Sequence, residues 1–182
     1  MNIVLIGYRG AGKSTVANLL ASQLQMPQVC LDEEIVRKAG KRIPDIVADH
    51  GWEAFRDLES EIAEAYGKKD GWVIDAGGGV ILREKNVQNL RRNGTLLWLT
   101  APPSVLIQRI TGDTERPALK DGKTFLEEVE EVLEERQPLY RSAAHWTIDV
   151  SERTPEEVSS QIQSLLKEKH LLQQLKAPPH ST

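Results

Sequence analysis

The sequence predicts an α/β fold in which helices cover both faces of a parallel sheet. Short apolar runs typical of buried strands alternate along the chain with longer segments of helical periodicity. Strands that alternate with helices in this way normally pair in parallel within one sheet. The 182 residues are enough for a single domain with its own apolar core.

The individual elements follow from apolar periodicity and from glycine and proline at their ends. Strands are expected at residues 2–6, 28–31, 72–74, 95–99 and 146–150. Helices are expected at residues 13–25, 32–39, 43–49, 52–66, 83–92, 104–110 and 125–135, and a last helix begins at Pro155. The helical stretch between the second and third strands and the charged loop over 111–124 exceed ordinary crossover lengths. Lids and substrate pockets are usually found in such excursions.

Composition and charge argue against several classes of protein. The net charge of −4 provides no broad attraction to nucleic acid or to an anionic membrane. The first apolar run, residues 3–6, is too short for a signal peptide or a membrane span, and no later run approaches membrane length. The sequence contains a single cysteine, Cys30, so no disulfide forms within the chain. We therefore expect a cytoplasmic protein, and a monomer because no apolar seam is evident.

A glycine-rich loop lies between the first predicted strand and the first predicted helix. Residues 7–15 read GYRGAGKST and match the G-x-x-x-x-G-K-[ST] pattern of P-loop nucleotide-binding proteins. In such a loop backbone N–H groups surround phosphates, the lysine contacts the terminal phosphates and the serine hydroxyl binds Mg²⁺. The residues expected to bind the nucleotide are Gly10, Ala11, Gly12, Lys13, Ser14 and Thr15. The loop predicts an enzyme that uses ATP and Mg²⁺ to phosphorylate a small molecule.

Two aspartates are candidates for the acid that supports Mg²⁺ in such enzymes. Asp75 ends the third predicted strand, where an aspartate also commonly turns the chain. Asp32 follows the second strand, where it could equally be the N-cap of a helix. The residues taken singly leave both alternatives open.

Several further motifs, in order along the chain, resemble the shikimate kinase family over about residues 3–158. They are the glycine loop, Asp32, the run Gly51-Trp52-Glu53-Ala54-Phe55-Arg56 with Glu59, Gly77-Gly78-Gly79, Arg109, Arg116-Pro117, and Arg136-Gln137-Pro138-Leu139-Tyr140. The resemblance implies a five-stranded sheet of order 2-3-1-4-5 and transfer of the ATP γ-phosphoryl group to the 3-hydroxyl of shikimate, a step in aromatic amino-acid biosynthesis. It also implies one kinase domain over 1–172, with substrate-binding helices over about 33–60 and a lid over about 111–124. Residues 173–182 have no periodic pattern, so we expect them to form a flexible tail.

The resemblance assigns roles to individual residues. Asp32 would contact the hydroxyls of shikimate and orient or deprotonate the one that attacks. The arginine forks of Arg56 and Arg136 would bind the carboxylate in bidentate fashion. The backbone of Gly77, Gly78 and Gly79 would approach the substrate closely. Arg116, on the lid, and Lys13 would be catalytic groups that contact the phosphates. Arg109 and Arg153 would flank the adenine.

The chain departs from the family pattern at two positions. The family typically has Asp-x-Asp where this chain has Cys30-Leu31-Asp32, and a thiol is a poor partner for Mg²⁺. The family also usually has a small or apolar residue and a threonine before the three glycines, where this chain has Asp75-Ala76. Because the second and third strands are neighbours in the family's sheet, we hypothesise that Asp75 replaces the missing acid and that the Mg²⁺ site consists of Ser14 and Asp75.

Simpler interpretations exist for most of these residues. Arg56 and Glu59 are three apart on a helix and could form a surface ion pair, Arg136 could balance neighbouring glutamates, and Cys30 could be a buried apolar-type residue. The two departures could also mark a diverged kinase for another hydroxy acid or a weakly active nucleotide-binding relative. A GTPase-type switch is disfavoured because the sequence has no Asn-Lys-x-Asp segment.

Overall fold

The fold is a parallel five-stranded sheet between two layers of helices, as the sequence predicts. The structure, a computed structural model, describes residues 1–110 and 125–169, without the side chains of 125–128. The strand order is β2-β3-β1-β4-β5 and every pairing is parallel. The strands are β1 Asn2–Ile6, β2 Gln28–Cys30, β3 Val73–Asp75, β4 Gly94–Thr100 and β5 Trp146–Asp149.

Seven α-helices and one short 3₁₀ turn connect and cover the strands in the described part of the chain. The helices are α1 Lys13–Leu24, α2 Leu31–Ala39, α3 Ile43–Gly67, α4 Glu84–Arg92, α5 Pro103–Ile110, α6 Phe125–Ala143 and α7 Pro155–Glu168, and the 3₁₀ turn is Val80–Leu82. None of the described helices is both long and apolar enough to cross a membrane.

The alternation of side chains along the central strands produces two apolar cores. On β1, Ile3 and Leu5 face a core that includes side chains of α1 and α7, whereas Val4 and Ile6 face one that includes α2, α3 and α4. All five residues of β1 are buried, as expected for a central strand that is covered on both faces. Because every strand pairing is parallel, the carboxyl ends of the strands meet at one edge of the sheet. This edge is the usual position of a ligand site in this class of fold.

Helix α3 contains a sharp kink at a glycine. Gly51 has φ +79° and ψ 171°, so a left-handed residue interrupts the helix. Two separate helices had been expected here on either side of this residue, and the kink preserves that division. The second half of α3 carries Arg56 and Glu59, which are both buried.

Helix α6 differs from the sequence prediction. It was expected to end at residue 135, but it continues through Pro138 to Ala143. A proline inside a helix removes one backbone hydrogen bond and is unfavourable. Burial of Tyr140 and Ala143 against the sheet offsets that cost. Arg136 consequently lies within the helix rather than at its end.

The remaining differences are small. The strand β3 includes Asp75 and begins one residue later than expected. Helix α2 begins at Leu31 with Cys30 at its N-cap position, so the interpretation of Asp32 as the N-cap is wrong. The lid predicted over 111–124, with Arg116, and the tail predicted over 173–182 lie outside the described residues.

Candidate active site

The glycine loop leaves the carboxyl end of β1 and enters α1 with the backbone conformation that the motif requires. Gly7 has φ +146°, and a Cβ on it would lie 2.4 Å from the carbonyl oxygen of Leu99 on β4. Gly10 and Gly12 both have φ near +80°. The Lys13 ammonium folds back over the loop and donates to the carbonyl of Tyr8 at 3.2 Å. The first turn of α1, with Ser14 and Thr15 exposed, faces the mouth of the loop.

The hypothesis that Ser14 and Asp75 share a site agrees with their geometry. The Ser14 hydroxyl donates to Asp75 Oδ2 at 2.5 Å, across 61 positions of sequence. The Asp75 side chain is only 3% exposed, because β3 lies between β2 and β1. Mg²⁺ in phosphoryl-transfer sites usually keeps several waters and takes one or two carboxylates together with substrate phosphates. A serine hydroxyl beside one buried carboxylate fits this requirement, and the described residues contain no larger metal-binding cluster.

Cys30 lies next to this pair. In the parallel register of β2 and β3, Cys30 is the partner of Asp75. Burial and the nearby Asp75 carboxylate raise the pKa of the Cys30 thiol to about 12. The thiol therefore stays protonated and unreactive at neutral pH. Position 30 thus carries no charge here, and the carboxylate lies on the neighbouring strand.

A cleft of about 480 Å³ opens beside the loop and brings together most of the predicted acceptor-binding residues. We refer to it as the acceptor cleft. The predicted residues that line it are Asp32, Arg56, Gly78, Gly79 and Arg136; the others are Tyr8, Arg9, Ile43, Trp52, Phe55 and Glu59. Gly77 is adjacent, since a Cβ on it would lie 2.6 Å from Asp32 Oδ1. The cleft therefore has three arginines against two carboxylates, Asp32 in the first turn of α2 and Glu59 on α3.

Arg56 is held in this cleft by a buried ion pair. Its Nη1 donates to both carboxylate oxygens of Glu59, at 2.9 and 2.8 Å. Arg56 is 8% exposed and Glu59 is 1% exposed, so the pair is not the surface ion pair that helical spacing alone would allow. Burial raises the pKa of Glu59, although Arg56 opposes the shift. The guanidinium also lies over the ring of Phe55, 5.0 Å from its centroid, which fixes its orientation.

Arg136, the second arginine predicted to bind the acceptor, is anchored to the three-glycine turn. Arg136 Nη1 donates to the carbonyl of Gly78 at 3.3 Å. The buried phenol of Tyr140, one turn later on α6, donates to the same oxygen at 2.5 Å. Helix α6 and the glycine turn are thereby joined at a single acceptor atom.

A second cleft, of about 560 Å³, lies on the other side of the loop. Its lining comprises Gly10, Ala11, Gly12, Val16, Arg109, Val150, Arg153, Pro155 and Val158. Arg109 Nη2 donates to the carbonyls of Val150 and Ser151, at 2.9 and 3.3 Å. Arg153 Nη1 donates to the Asp149 carbonyl at 2.7 Å and to Gln161 at 2.9 Å. The two predicted adenine-flanking arginines thus border one apolar-floored cleft at the loop.

Sequence reasoning missed several residues of the acceptor cleft. Tyr8 and Arg9 occupy variable positions of the glycine motif, so the pattern gave them no role, although they are the only bulky residues among its four variable positions. Trp52, Phe55 and Glu59 were recognised as parts of a motif but not as cleft residues. The three-residue spacing of Arg56 and Glu59 was visible, but the spacing does not encode the tertiary packing of this pair against the three-glycine turn.

Several known proteins resemble this chain over most of its length. The family model described as shikimate kinase matches residues 9–167. Shikimate kinase of Rhodopirellula baltica is 41% identical over 165 residues, covering 88% of each chain. Shikimate kinase 2 of Enterobacter sp. is 43% identical over 168 residues, covering 91% of this chain and 95% of the relative. The solved shikimate kinase of Acinetobacter baumannii in complex with shikimate superimposes with a TM-score of 0.89 at 32% identity, covering 93% of this chain and 94% of the other. The chain belongs to the shikimate kinase family.

Proposed function

We propose that this protein transfers the γ-phosphoryl group of ATP to the 3-hydroxyl of shikimate. The observation that carries the proposal is that neighbouring residues of one loop line both clefts. Tyr8 and Arg9 line the acceptor cleft, whereas Gly10, Ala11 and Gly12 line the nucleotide cleft. A phosphate chain bound at the loop would therefore lie between a nucleotide and an acceptor, as in-line transfer requires.

The acceptor cleft suits a small hydroxylated carboxylic acid. Arg56 and Arg136 provide two guanidinium groups for a carboxylate, and Arg9 adds a third positive group to the wall. Asp32, in the first turn of α2, would accept hydrogen bonds from the hydroxyls and take the proton of the attacking oxygen. The solved relative from A. baumannii was obtained with shikimate, which has this chemistry.

The nucleotide side is assigned by the same reasoning. Gly10, Ala11, Gly12 and Thr15 would surround the phosphates with backbone N–H groups, while Lys13 would leave the Tyr8 carbonyl to pair with the terminal phosphates. Arg109 and Arg153 would flank the adenine at the second cleft. The role predicted for Arg116 stays a prediction.

For Mg²⁺ we propose Ser14 and Asp75 as the protein groups. When bound, Mg²⁺ would neutralise charge that develops on the transferred phosphoryl group. Ser14 would contribute its hydroxyl oxygen, and the buried Asp75 carboxylate would hold Ser14 and waters of the metal shell. Cys30, neutral at physiological pH, would occupy the space of the family's usual acid.

The proposed activity is tested by following ADP release from ATP and Mg²⁺ with a panel of hydroxy acids that includes shikimate. Strong stimulation by shikimate alone is expected, and Asp32→Asn should lose at least about a hundredfold in kcat because a general base contributes on that scale. Stimulation by a different acid would indicate a diverged kinase. No stimulation by any acid would overturn the proposal in favour of a nucleotide-binding role.

The metal assignment has its own test. Asp75→Asn should raise the Mg²⁺ concentration needed for half-maximal turnover by about tenfold or more, because one charge-assisted interaction with the metal shell is lost. It should also abolish most of the Mg²⁺-dependent gain in ATP affinity, measured by titration calorimetry. The control is the exchange Cys30→Asp with Asp75→Ala, which should restore both. Wild-type Mg²⁺ dependence in Asp75→Asn would contradict the assignment.

We also propose that the protein acts as a cytoplasmic monomer without nucleic-acid partners. In the described part of the chain the exposed large apolar side chains are Leu82 and Leu139, each 41% exposed, so no extensive apolar patch is evident there. A free cysteine and a requirement for ATP both suit a reducing, nucleotide-rich compartment. Light scattering coupled to gel filtration tests the oligomeric state, and a dimer mass would contradict this part of the proposal.

A further inference from the structure

Tyr140 is a buried residue beside the acceptor cleft that the proposed chemistry does not use. Its side chain is fully buried on α6, and its ring stacks on Trp98 of β4 with centroids 5.6 Å apart and planes 14° apart. Packing therefore fixes the ring, with its hydroxyl against the three-glycine turn. That hydroxyl donates to the carbonyl oxygen of Gly78, the middle residue of the three-glycine turn, at 2.5 Å.

The same oxygen also accepts from Arg136. Arg136 and Tyr140 are four residues apart and therefore project from the same face of α6. A carbonyl oxygen has two lone pairs and can accept both hydrogen bonds. The Arg136 bond is the longer of the two, 3.3 Å against 2.5 Å, so Tyr140 is the principal donor to Gly78.

The arrangement has a consequence when a carboxylate enters the cleft. If Arg136 turns toward that carboxylate, Gly78 keeps one hydrogen bond because Tyr140 remains in place. Without the Tyr140 hydroxyl, the Gly78 carbonyl would depend on Arg136 alone, and releasing the guanidinium would leave a buried acceptor unsatisfied. Burial also raises the pKa of Tyr140, so the phenol stays protonated and able to donate throughout the physiological range.

We propose that Tyr140 is a positioning residue for acceptor binding: by holding the Gly78 carbonyl, it leaves Arg136 free to pair with the acceptor's carboxylate. This inference rests on the proposed function, because it requires that Arg136 bind that carboxylate. Tyr140 does not touch the reacting atoms, so its effect is on acceptor affinity rather than on the rate of transfer.

The test is Tyr140→Phe, which keeps the ring and its stacking on Trp98 and removes only the donor. The KM for shikimate should rise about tenfold, the effect of one hydrogen bond, while kcat and the KM for ATP stay within about twofold. Tyr66→Phe is the control, because it removes another tyrosine hydroxyl, one whose neighbour Glu34 does not line the cleft. Tyr66→Phe should leave all three constants unchanged.

A double-mutant cycle separates positioning from a general structural effect. In an Arg136→Met background the Tyr140→Phe change should have no further effect on shikimate affinity, measured by tryptophan fluorescence. An unchanged shikimate KM in Tyr140→Phe, a parallel change in the KM for ATP, or full additivity with Arg136→Met would overturn the inference. Wild-type protein that binds no hydroxy acid would overturn the proposed function as well, so the two failures are distinguishable.

Discussion

Replacement of Gly79 by alanine would test whether Arg56 occupies the buried position seen in the structure. A Cβ on Gly79 would lie 2.0 Å from Arg56 Nη1, 2.3 Å from Nη2 and 2.4 Å from Cζ. All three distances are far inside van der Waals contact, so the guanidinium has to move. The backbone itself accepts alanine, because Gly79 has φ −104°.

The displacement affects both stability and substrate binding. Moving the guanidinium breaks the two hydrogen bonds of 2.9 and 2.8 Å to Glu59 and leaves a carboxylate that is 1% exposed without its cation. Removing one partner of a buried pair costs about 3–5 kcal/mol, which is the upper bound for a guanidinium that is displaced rather than deleted. Alanine recovers about 0.4–1 kcal/mol by restricting the unfolded chain. A net loss of up to about 4 kcal/mol in the free energy of unfolding is therefore expected.

The kinetic effect has a similar origin. Loss of a charge-assisted hydrogen bond to the substrate carboxylate costs about 1.5–3 kcal/mol, which corresponds to a shikimate KM about ten- to a hundredfold higher. The assays are urea unfolding and steady-state kinetics against both substrates. Gly78→Ala is the stability control, since a Cβ there would lie 3.4 Å from the nearest atom, which is ordinary contact. Wild-type stability and wild-type shikimate KM in Gly79→Ala would refute the placement of Arg56.

Two further predictions concern the proposed base Asp32 and the effect of His145 on the pH dependence of stability. Gly77→Ala should lower kcat about a hundredfold with little change in the KM for ATP, because its Cβ would lie 2.6 Å from Asp32 Oδ1 and displace the proposed base; a kcat within twofold of wild type in steady-state assays would contradict this. His145 Nδ1 accepts the backbone N–H of Leu96 at 2.9 Å, and burial together with Arg91 lowers the pKa of this histidine below its unfolded value of about 6.5. Its contribution to stability is thus complete above about pH 6.5 and is lost as pH falls through the lower folded pKa. Thermal unfolding of His145→Asn, which keeps an acceptor but does not titrate, should show a weaker loss of stability between pH 7 and 5 than wild type; identical pH profiles would argue against the assignment.

Much of the fold was predictable from local pattern. All five strands and the glycine loop were located because apolar runs and glycine spacing are encoded within a few consecutive residues. The position of β3 between β2 and β1 is a different matter, since it joins segments more than forty residues apart and was expected only through the family resemblance. Helix α6 was predicted too short because the unfavourable Pro138 is a local signal, whereas burial of Tyr140 is a tertiary one.

In the candidate site, too, features encoded by consecutive residues were predictable and features that depend on tertiary packing were not. The glycine loop could be predicted because its chemistry depends on consecutive residues. Whether Arg56 and Glu59 formed a surface pair or a buried one could not be decided from their spacing, because their burial comes from tertiary packing against the three-glycine turn. Tyr8 and Arg9 were missed since the motif leaves their positions unspecified.

In the family's Asp-x-Asp pattern, the acid near Mg²⁺ and the acid at the acceptor hydroxyls lie two residues apart on one segment. In this chain Asp75, the acid proposed for Mg²⁺, lies on an interior strand instead. β3 is hydrogen-bonded to β2 on one side and to β1 on the other, so the carboxylate beside Ser14 is held by the rigid centre of the sheet. Asp32 instead lies at the start of α2, beyond the outermost strand. Segments that shape the acceptor cleft can therefore shift or change in sequence without displacing the acid proposed for Mg²⁺. For protein engineering, positions of α2 and α3 other than Asp32 are therefore the natural place to alter acceptor preference, because the proposed base and the acid proposed for Mg²⁺ are both kept.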